Sequence, residues 1–393
     1  MKLYDVYPLL PITIVKGKNC KVWDENGVEY LDFYGGHAVI SVGHSHPHYT
    51  TTIQQQVEKL GFYSNSVINP LQIKLAEKLG WESGYDDYQL FLCNSGAEAN
   101  ENAFKVASFL TGKKKFITFS HSFHGRTSAA VAATDDTSII APVNQTENFI
   151  FCDFNNSDLF ETEFNKSKND LAGVILEGIQ GIGGINIPTQ EFIEKIEKLC
   201  KENGVYFICD EIQSGYGRSG KFFAHQYFDV KPDIITVAKG MGNGFPIGGV
   251  LISPDIPAKS KMLGTTFGGN HLGCAAAIAV LNIIKEENLV EKSFENGNYL
   301  MDKLKEIPSL VEVRGKGLMI AIDFEFPASQ VSKILREEFK ILVGSASNPN
   351  TMRLLPPLTI SQSEIDFFVE SLNKALERIK SQEPRTEISE TIK

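Results

Sequence analysis

Between about residues 50 and 285, short and nearly continuous apolar runs alternate with amphipathic helical patterns. No other feature restricts the fold of this chain as much. "QLFLCNSG" runs into the alanine-bearing "AEANENAFKVASFL", and "KFITFS" and "LAGVILEG" follow. Thr189 stands as an N-cap before "EFIEKIEKLCKEN", which Gly204 stops; then come "VYFICDE", "DIITVA" and "GGVLIS". Strands apolar on both faces need cover on both faces, so the pattern predicts a mainly parallel sheet between helix layers. A hairpin precedes it, "KNCKVWD" and "VEYLDF" around "ENG", with Asn26-Gly27 suited to a type I′ turn. After a helix near 271–287 the pattern changes to "LVEVRGKGLMIAIDFE", with helices near 328–340 and 362–381. The expected layout is an N-terminal segment 1–45 packing with the small domain, a large domain 46–285, a small α+β domain 286–382 and a polar tail 383–393.

A chain of 393 residues exceeds what one core commonly holds, in keeping with two domains. Its net charge of −10 argues against nucleic acid and anionic membrane as main partners. The 6 cysteines are scattered without a CxxC pair, several inside apolar runs, and read as reduced, packed thiols of a cytoplasmic protein. "MKLYDVYPLLPITIV" carries two prolines and no small-residue cleavage site, so it reads as neither signal peptide nor membrane span. "GHSHPH" sets His44, His46 and His48 at alternate positions, but Pro47 interrupts the strand that would align them; a polar loop and no metal are expected. "GYGRSG" matches GxGxxG, yet "DEIQS" separates it from its strand and Phe222 stands where a P-loop needs Ser or Thr. It reads as a loop.

Four other segments carry chemistry. "VYFICDE" ends its apolar run at Asp210, at the strand edge where open α/β sheets bind ligands. For that residue alone, a helix N-cap is an equally good reading. The next strand ends in Lys239, within "VAKGMGNGFPIGG", where a buried run passes into a glycine-rich loop. A lysine held there, short of water, has a lowered pKa and becomes a nucleophilic amine able to form a Schiff base. Such a lysine beside an aspartate for a pyridinium nitrogen is what pyridoxal 5′-phosphate requires. "CNSGAEANE" offers a phosphate seat, since Ser95, Gly96 and Ala97 open a helix whose free N–H groups favour an anion. "SFHGRT" offers Phe123 as a stacking ring and Arg126 as a carboxylate fork, against the plainer readings of core side chain and surface ion pair.

The ordered set "NSGAEANE", "SFHGRT", "CDEIQSGYGRSG", "VAKGMGNGFPIGG" and "GTTFGGN" resembles the class-III aminotransferases, and within them the acetylornithine/ornithine transaminase branch. The likeness runs from "KVWDENGVEYLDFYGGHAVISVGHSHP" to "MRLLPPLTI". It implies an α/β fold-type-I pyridoxal-phosphate transferase: a large cofactor-binding domain with a mainly parallel seven-stranded sheet, plus the smaller α+β domain. It implies Lys239 as the cofactor-bearing lysine and proton shuttle, and Asp210 as the group that keeps the ring nitrogen protonated. Gln213 would lie near the phenolic oxygen, Ser95, Gly96 and Ala97 at the phosphate, and Phe123 against the ring. Thr266 would reach the phosphate from the second subunit of a homodimer, with Thr265 and Glu177 beside the substrate. Arg126 would take the donor carboxylate and Arg353 that of 2-oxoglutarate.

The family commonly reads E-P-x-Q-G-E-G-G where this chain has "EGIQGIGG", so Gly178 replaces a proline and Ile182 a glutamate. In related ornithine transaminases that glutamate pairs with the arginine matching Arg353, so Ile182 bears on the donor. The expected reaction moves the terminal amine of an N-acylated ornithine, acetyl or succinyl, to 2-oxoglutarate, as in arginine biosynthesis. The alternatives are another ω-amine donor (ornithine, 4-aminobutyrate or an acyl-lysine type) and a non-catalytic binding protein of this fold. The intact Lys239, Asp210 and Arg126 set speaks against the second.

Overall fold

Three short strands lead the chain: β1 (Ile14–Lys18), β2 (Lys21–Asp24) and β3 (Glu29–Asp32). They are seen in a computed structural model that describes residues 1–382; the tail 383–393 lies outside the described residues. β2 and β3 pair antiparallel, with Trp23 opposite Glu29, so the hairpin is present. Its turn is not type I′. That turn needs positive φ at both central residues, and here Gly27 has it (φ 79°) while Asn26 does not. Asp24 is the reason: its Oδ1 accepts from the N–H groups of Asn26 and Val28, each at 2.9 Å, and so builds a longer, side-chain-capped loop.

Seven strands form the large sheet: β4 (Gln89–Cys93), β5 (Lys115–Phe119), β6 (Phe149–Cys152), β7 (Leu171–Glu177), β8 (Tyr206–Asp210), β9 (Ile234–Val237) and β10 (Gly248–Ile252). Their order is β4-β10-β9-β8-β7-β5-β6. Pairing is parallel from β6 through β9, while β10 runs antiparallel to both neighbours. Every residue of β7 is buried because the sheet is covered on both sides. Val174 and Leu176 pack with Phe192 and Ile196, whereas Ala172 and Ile175 pack with Ala103 and Phe104. The covering helices begin and end where the sequence directs. Ser95 Oγ caps Gly96–Thr111 by accepting from Glu98 N–H at 3.2 Å, and Thr189 Oγ1 caps Gln190–Asn203 through Phe192 N–H at 3.2 Å. Left-handed Gly112 and Gly204 close them.

The C-terminal part adds β11 (Glu312–Lys316), β12 (Met319–Asp323), β13 (Ile341–Leu342), β14 (Gly344–Ser345) and β15 (Thr351–Leu354). Four of these make an antiparallel sheet in the order β11-β12-β15-β14, packed with helices Leu289–Lys305, Ser329–Glu338 and Gln362–Gln382. β13 instead joins the N-terminal strands, pairing parallel with β3, and Phe33 stacks on Phe368 at 4.3 Å. The two ends of the chain therefore share one unit beside the large sheet. Arg218, 2% exposed, stitches the seam: its guanidinium donates to the carbonyl oxygens of Leu318 (3.1 Å), Pro356 and Ile40 (3.4 Å).

Candidate active site

Register sets the site. Glu177, the last residue of β7, lies opposite Asp210, the last of β8, and Asp210 lies opposite Thr236 of β9. The carboxyl ends of three adjacent parallel strands thus meet at one edge, the place where such sheets hold ligands.

Asp210 is 4% exposed and its carboxylate cannot turn. Oδ2 accepts from Asn100 Nδ2 at 2.8 Å and from His124 Nδ1 at 2.7 Å, while Oδ1 accepts from Ile212 N–H at 3.0 Å. Asn100 is locked in turn: its Nδ2 also donates to the His124 carbonyl (2.7 Å), and its Oδ1 accepts from Thr236 Oγ1 (2.8 Å). Asn100, His124 and Thr236 fix Asp210 in place, directly or through one another, and the sequence reading passes over all three. Two signals were available. Asn100 lies four residues, one helical turn, after Gly96, and His124 sits inside "SFHGRT" between the two residues singled out there.

Lys239 follows β9 after Ala238 and adopts a left-handed backbone, φ 44°, which a non-glycine residue takes only where its surroundings impose it. Burial pushes its amine down to about 8, against the pull of Asp210, and the nearby Arg353 adds to the depression. Glu177 is also buried, and burial raises its carboxyl to about 7 while His124 opposes the rise. Its Oε1 accepts from Phe123 N–H at 3.0 Å and its Oε2 from Gly181 N–H at 2.8 Å. Glu177 therefore pins the two loops that carry Phe123 and Ile182.

Arg353, in β15, is 1% exposed. Its Nε donates to the carbonyl oxygen of Ser345 at 2.5 Å and its Nη1 to Gln213 Oε1 at 3.1 Å. Burial lowers it to about 10. Gln213, expected beside a phenolic oxygen, has its amide oxygen on this guanidinium. Arg126 is exposed, and no acid pairs with it among the described residues.

The helix start at Ser95 suits an anion. The amides of Gly96 and Ala97 have no acceptor among the described residues. The backbone is packed close around them: a Cβ on Gly96 would meet Ile212 at 2.9 Å, and one on Gly125 (φ 142°) would meet Ala97 at 2.7 Å. Free amides, a fixed buried carboxylate and a water-poor amine at one sheet edge fit pyridoxal 5′-phosphate. The chain does not bring every expected residue together. Thr265 lies along β4, with its Oγ1 3.4 Å from Asn94 Nδ2, and Thr266 is exposed with its side chain bonded to no described residue. The three histidines of "GHSHPH" go to different acids: His44 to Asp32 (2.8 Å), His46 to Glu287 (2.8 Å) and His48 to Glu286 (3.8 Å).

The sequence profile described as Aminotransferase class-III matches residues 5–376. The acetylornithine aminotransferase of Bacillus subtilis is 40% identical over 380 residues, covering 95% of this chain and 97% of its own. That of Methanosarcina mazei is 39% identical over 375 residues, 94% and 93% of the two chains. Among solved structures, the ornithine aminotransferase of Toxoplasma gondii ME49 superposes with a TM-score of 0.88 at 30% identity, covering 95% and 92% of the two chains. The acetylornithine aminotransferase of Elizabethkingia anophelis does so with a TM-score of 0.81 at 29% identity, covering 95% of each.

Proposed function

Because this chain belongs to the class-III aminotransferases, we propose that it transfers the terminal amine of an N-acylated ornithine to 2-oxoglutarate, giving the semialdehyde and glutamate. Several acetylornithine aminotransferases share about two-fifths of its residues over nearly full length, which supports a place in arginine biosynthesis. The observation that carries the choice of donor is Arg353: it is buried, and no carboxylate pairs with it among the described residues. An arginine without a paired carboxylate takes one from any ligand. Free ornithine would dock its α-carboxylate there and present the wrong amine. An acylated α-nitrogen is an amide and does not react as an amine, so the donor itself removes the error.

Bound pyridoxal phosphate supplies an aldehyde that joins to amines and a ring that draws electrons from the carbon bearing them. Lys239, depressed to about 8, is partly neutral near physiological pH, and its Nζ takes a proton from the terminal CH₂ carbon of the donor and later returns one. Asp210, clamped by Asn100, His124 and Ile212, keeps the ring nitrogen protonated. Gly96 and Ala97 offer N–H groups to the phosphate, Phe123 covers the ring, and Arg126 orients the donor carboxylate. Thr266 serves a second copy of the chain. Supporting this, Phe267 beside it is exposed with its ring 5.3 Å from that of the exposed Phe62, an apolar pair that a second copy would cover. All six cysteines are buried free thiols, in keeping with a cytoplasmic enzyme. No helix among the described residues is long and apolar enough to cross a membrane.

The test is kcat/KM for ornithine, N-acetylornithine and N-succinylornithine with 2-oxoglutarate. The acylated donors should lead by at least ~tenfold, the scale of one orienting contact. Ornithine equal to or better than both would move the assignment to another ω-amine donor.

A further inference from the structure

Among the described residues no acid is hydrogen-bonded to Arg353, although Glu177 is near enough to act on it through space, and one neutral side chain caps its guanidinium. Gln213 Oε1 accepts from Nη1 at 3.1 Å, while Gln213 Nε2 donates to the carbonyl oxygen of His37 at 3.3 Å. Two backbone features permit this pose. A Cβ on Gly181 would lie 2.1 Å from Gln213 Oε1, so only glycine leaves room for the amide. The His37 carbonyl is presented by a left-handed turn in which Gly35, Gly36, His37 and Ala38 all have positive φ, from 55° to 64°. The other hydrogen bond of the guanidinium among the described residues, from Nε to the Ser345 carbonyl, is to backbone.

We propose that Gln213 is a neutral cap on Arg353, a specificity-determining residue that holds the guanidinium while the site is empty and yields to the carboxylate of the acceptor. The proposal rests on the reading that Arg353 takes that carboxylate. A buried guanidinium with a bare N–H is costly, and an amide oxygen satisfies it. Because the amide carries no charge, a carboxylate that engages the planar fork through two hydrogen bonds replaces it with a net gain. A glutamate in the same place would form an ion pair that an incoming carboxylate must break. Ile182 supplies no such charge, so among the side chains hydrogen-bonded to the guanidinium a dicarboxylate has only this neutral cap to displace. The enzyme therefore stays ready for the acceptor and leaves discrimination among donors to their own chemistry.

Glutarate, an inert dicarboxylate of the acceptor's length, is the probe, titrated calorimetrically into the cofactor-loaded enzyme with loading read from absorbance. Gln213→Ala removes the competitor and should bind glutarate roughly threefold or more tighter; Gln213→Glu should bind it at least ~tenfold weaker. Gly181→Ala, which keeps the N–H bonded to Glu177 but displaces the amide of Gln213, should behave like Gln213→Ala. Weaker or unchanged binding by Gln213→Ala or Gly181→Ala, or unchanged binding by Gln213→Glu, overturns the cap. Arg353→Gln separates the two ideas. If it binds glutarate as the wild type does, the acceptor reading fails and the cap with it. If it loses binding while Gln213→Ala also weakens, the cap alone is wrong.

Discussion

The carbonyl oxygen of Ile182 accepts from both the backbone N–H and the hydroxyl of Ser347, at 2.8 and 3.0 Å. Two residues before Ser347 stands Ser345, whose carbonyl fixes Arg353, and Arg314 Nε ties the Gly184 carbonyl at 2.9 Å. The stretch that carries Ile182 is thus fastened to the loop that aims Arg353. A glutamate restored there should pair with Arg353. Ile182→Glu is expected to slow the half-reaction with 2-oxoglutarate at least ~tenfold, about 1.4 kcal/mol, and to leave the donor half-reaction within roughly threefold. Single-turnover kinetics on each half measures this. Equal slowing of both halves would mean that the new carboxylate does not reach Arg353.

Borohydride reduction of the loaded enzyme should fix a pyridoxyl group on Lys239 and nowhere else, read by peptide mass mapping. Lys239→Ala should give no such adduct and lose the proton-transfer contribution, roughly 10²–10⁴-fold. A label on another lysine refutes the assignment.

Asp210→Asn should cost far more than Asp210→Glu. The amide can still accept from His124 or Asn100, but it brings no charge to a ring nitrogen. Breaking a buried ion pair from one side costs about 3–5 kcal/mol, so kcat should fall by at least ~10²-fold. An Asn variant within tenfold of the wild type would reduce Asp210 to a structural cap.

The depressed amine of Lys239 has a signature in cofactor-free protein. Its ordinary value is 10.5 and burial lowers it to about 8, so between these values the unfolded chain binds more protons, and stability rises with pH across that window. Below pH 8 the folded state bears the full penalty, about 3 kcal/mol at most. Cofactor-free Lys239→Met should therefore unfold later than cofactor-free wild type at pH 7, with the gap closing towards pH 10.5. Denaturant melts at both pH values test this. A gap independent of pH would mean that the amine is not held neutral by burial.

If Thr266 completes the neighbouring subunit's phosphate seat, mixing inactive Lys239→Ala with inactive Thr266→Ala chains should restore activity, because each mixed dimer has one intact site. Sedimentation of an active monomer would end this idea.

Asp210 was legible because a strand ending in a charged residue is a local pattern; Lys239 was legible as the charge after an apolar run, although its strand stops two residues earlier, at Val237. So were the helix caps at Ser95 and Thr189. What holds Asp210 was not, since Asn100 and His124 lie 110 and 86 residues away in the chain, and only the sheet order brings them there. The place of Gln213 came only from the family resemblance, yet its amide direction depends on Gly181, His37 and Arg353 together. The hairpin was read from Asn26-Gly27, while Asp24, one residue outside "ENG", sets the turn.

Arg218 has a mechanical consequence. One guanidinium ties the 211–225 loop to the N-terminal segment at Ile40, to the β11–β12 turn at Leu318 and to the chain just after β15 at Pro356. The same loop begins at Glu211, whose carboxylate accepts from Ser214, Ala224 and His225 and anchors it directly behind Asp210. The two sheets are riveted together next to the reacting edge, and a book-like hinge opening there would tear several buried bonds at once. Adjustment to donor and acceptor is left to rotatable side chains, so the enzyme accommodates its alternating substrates with the moving parts of a keyhole rather than those of a jaw.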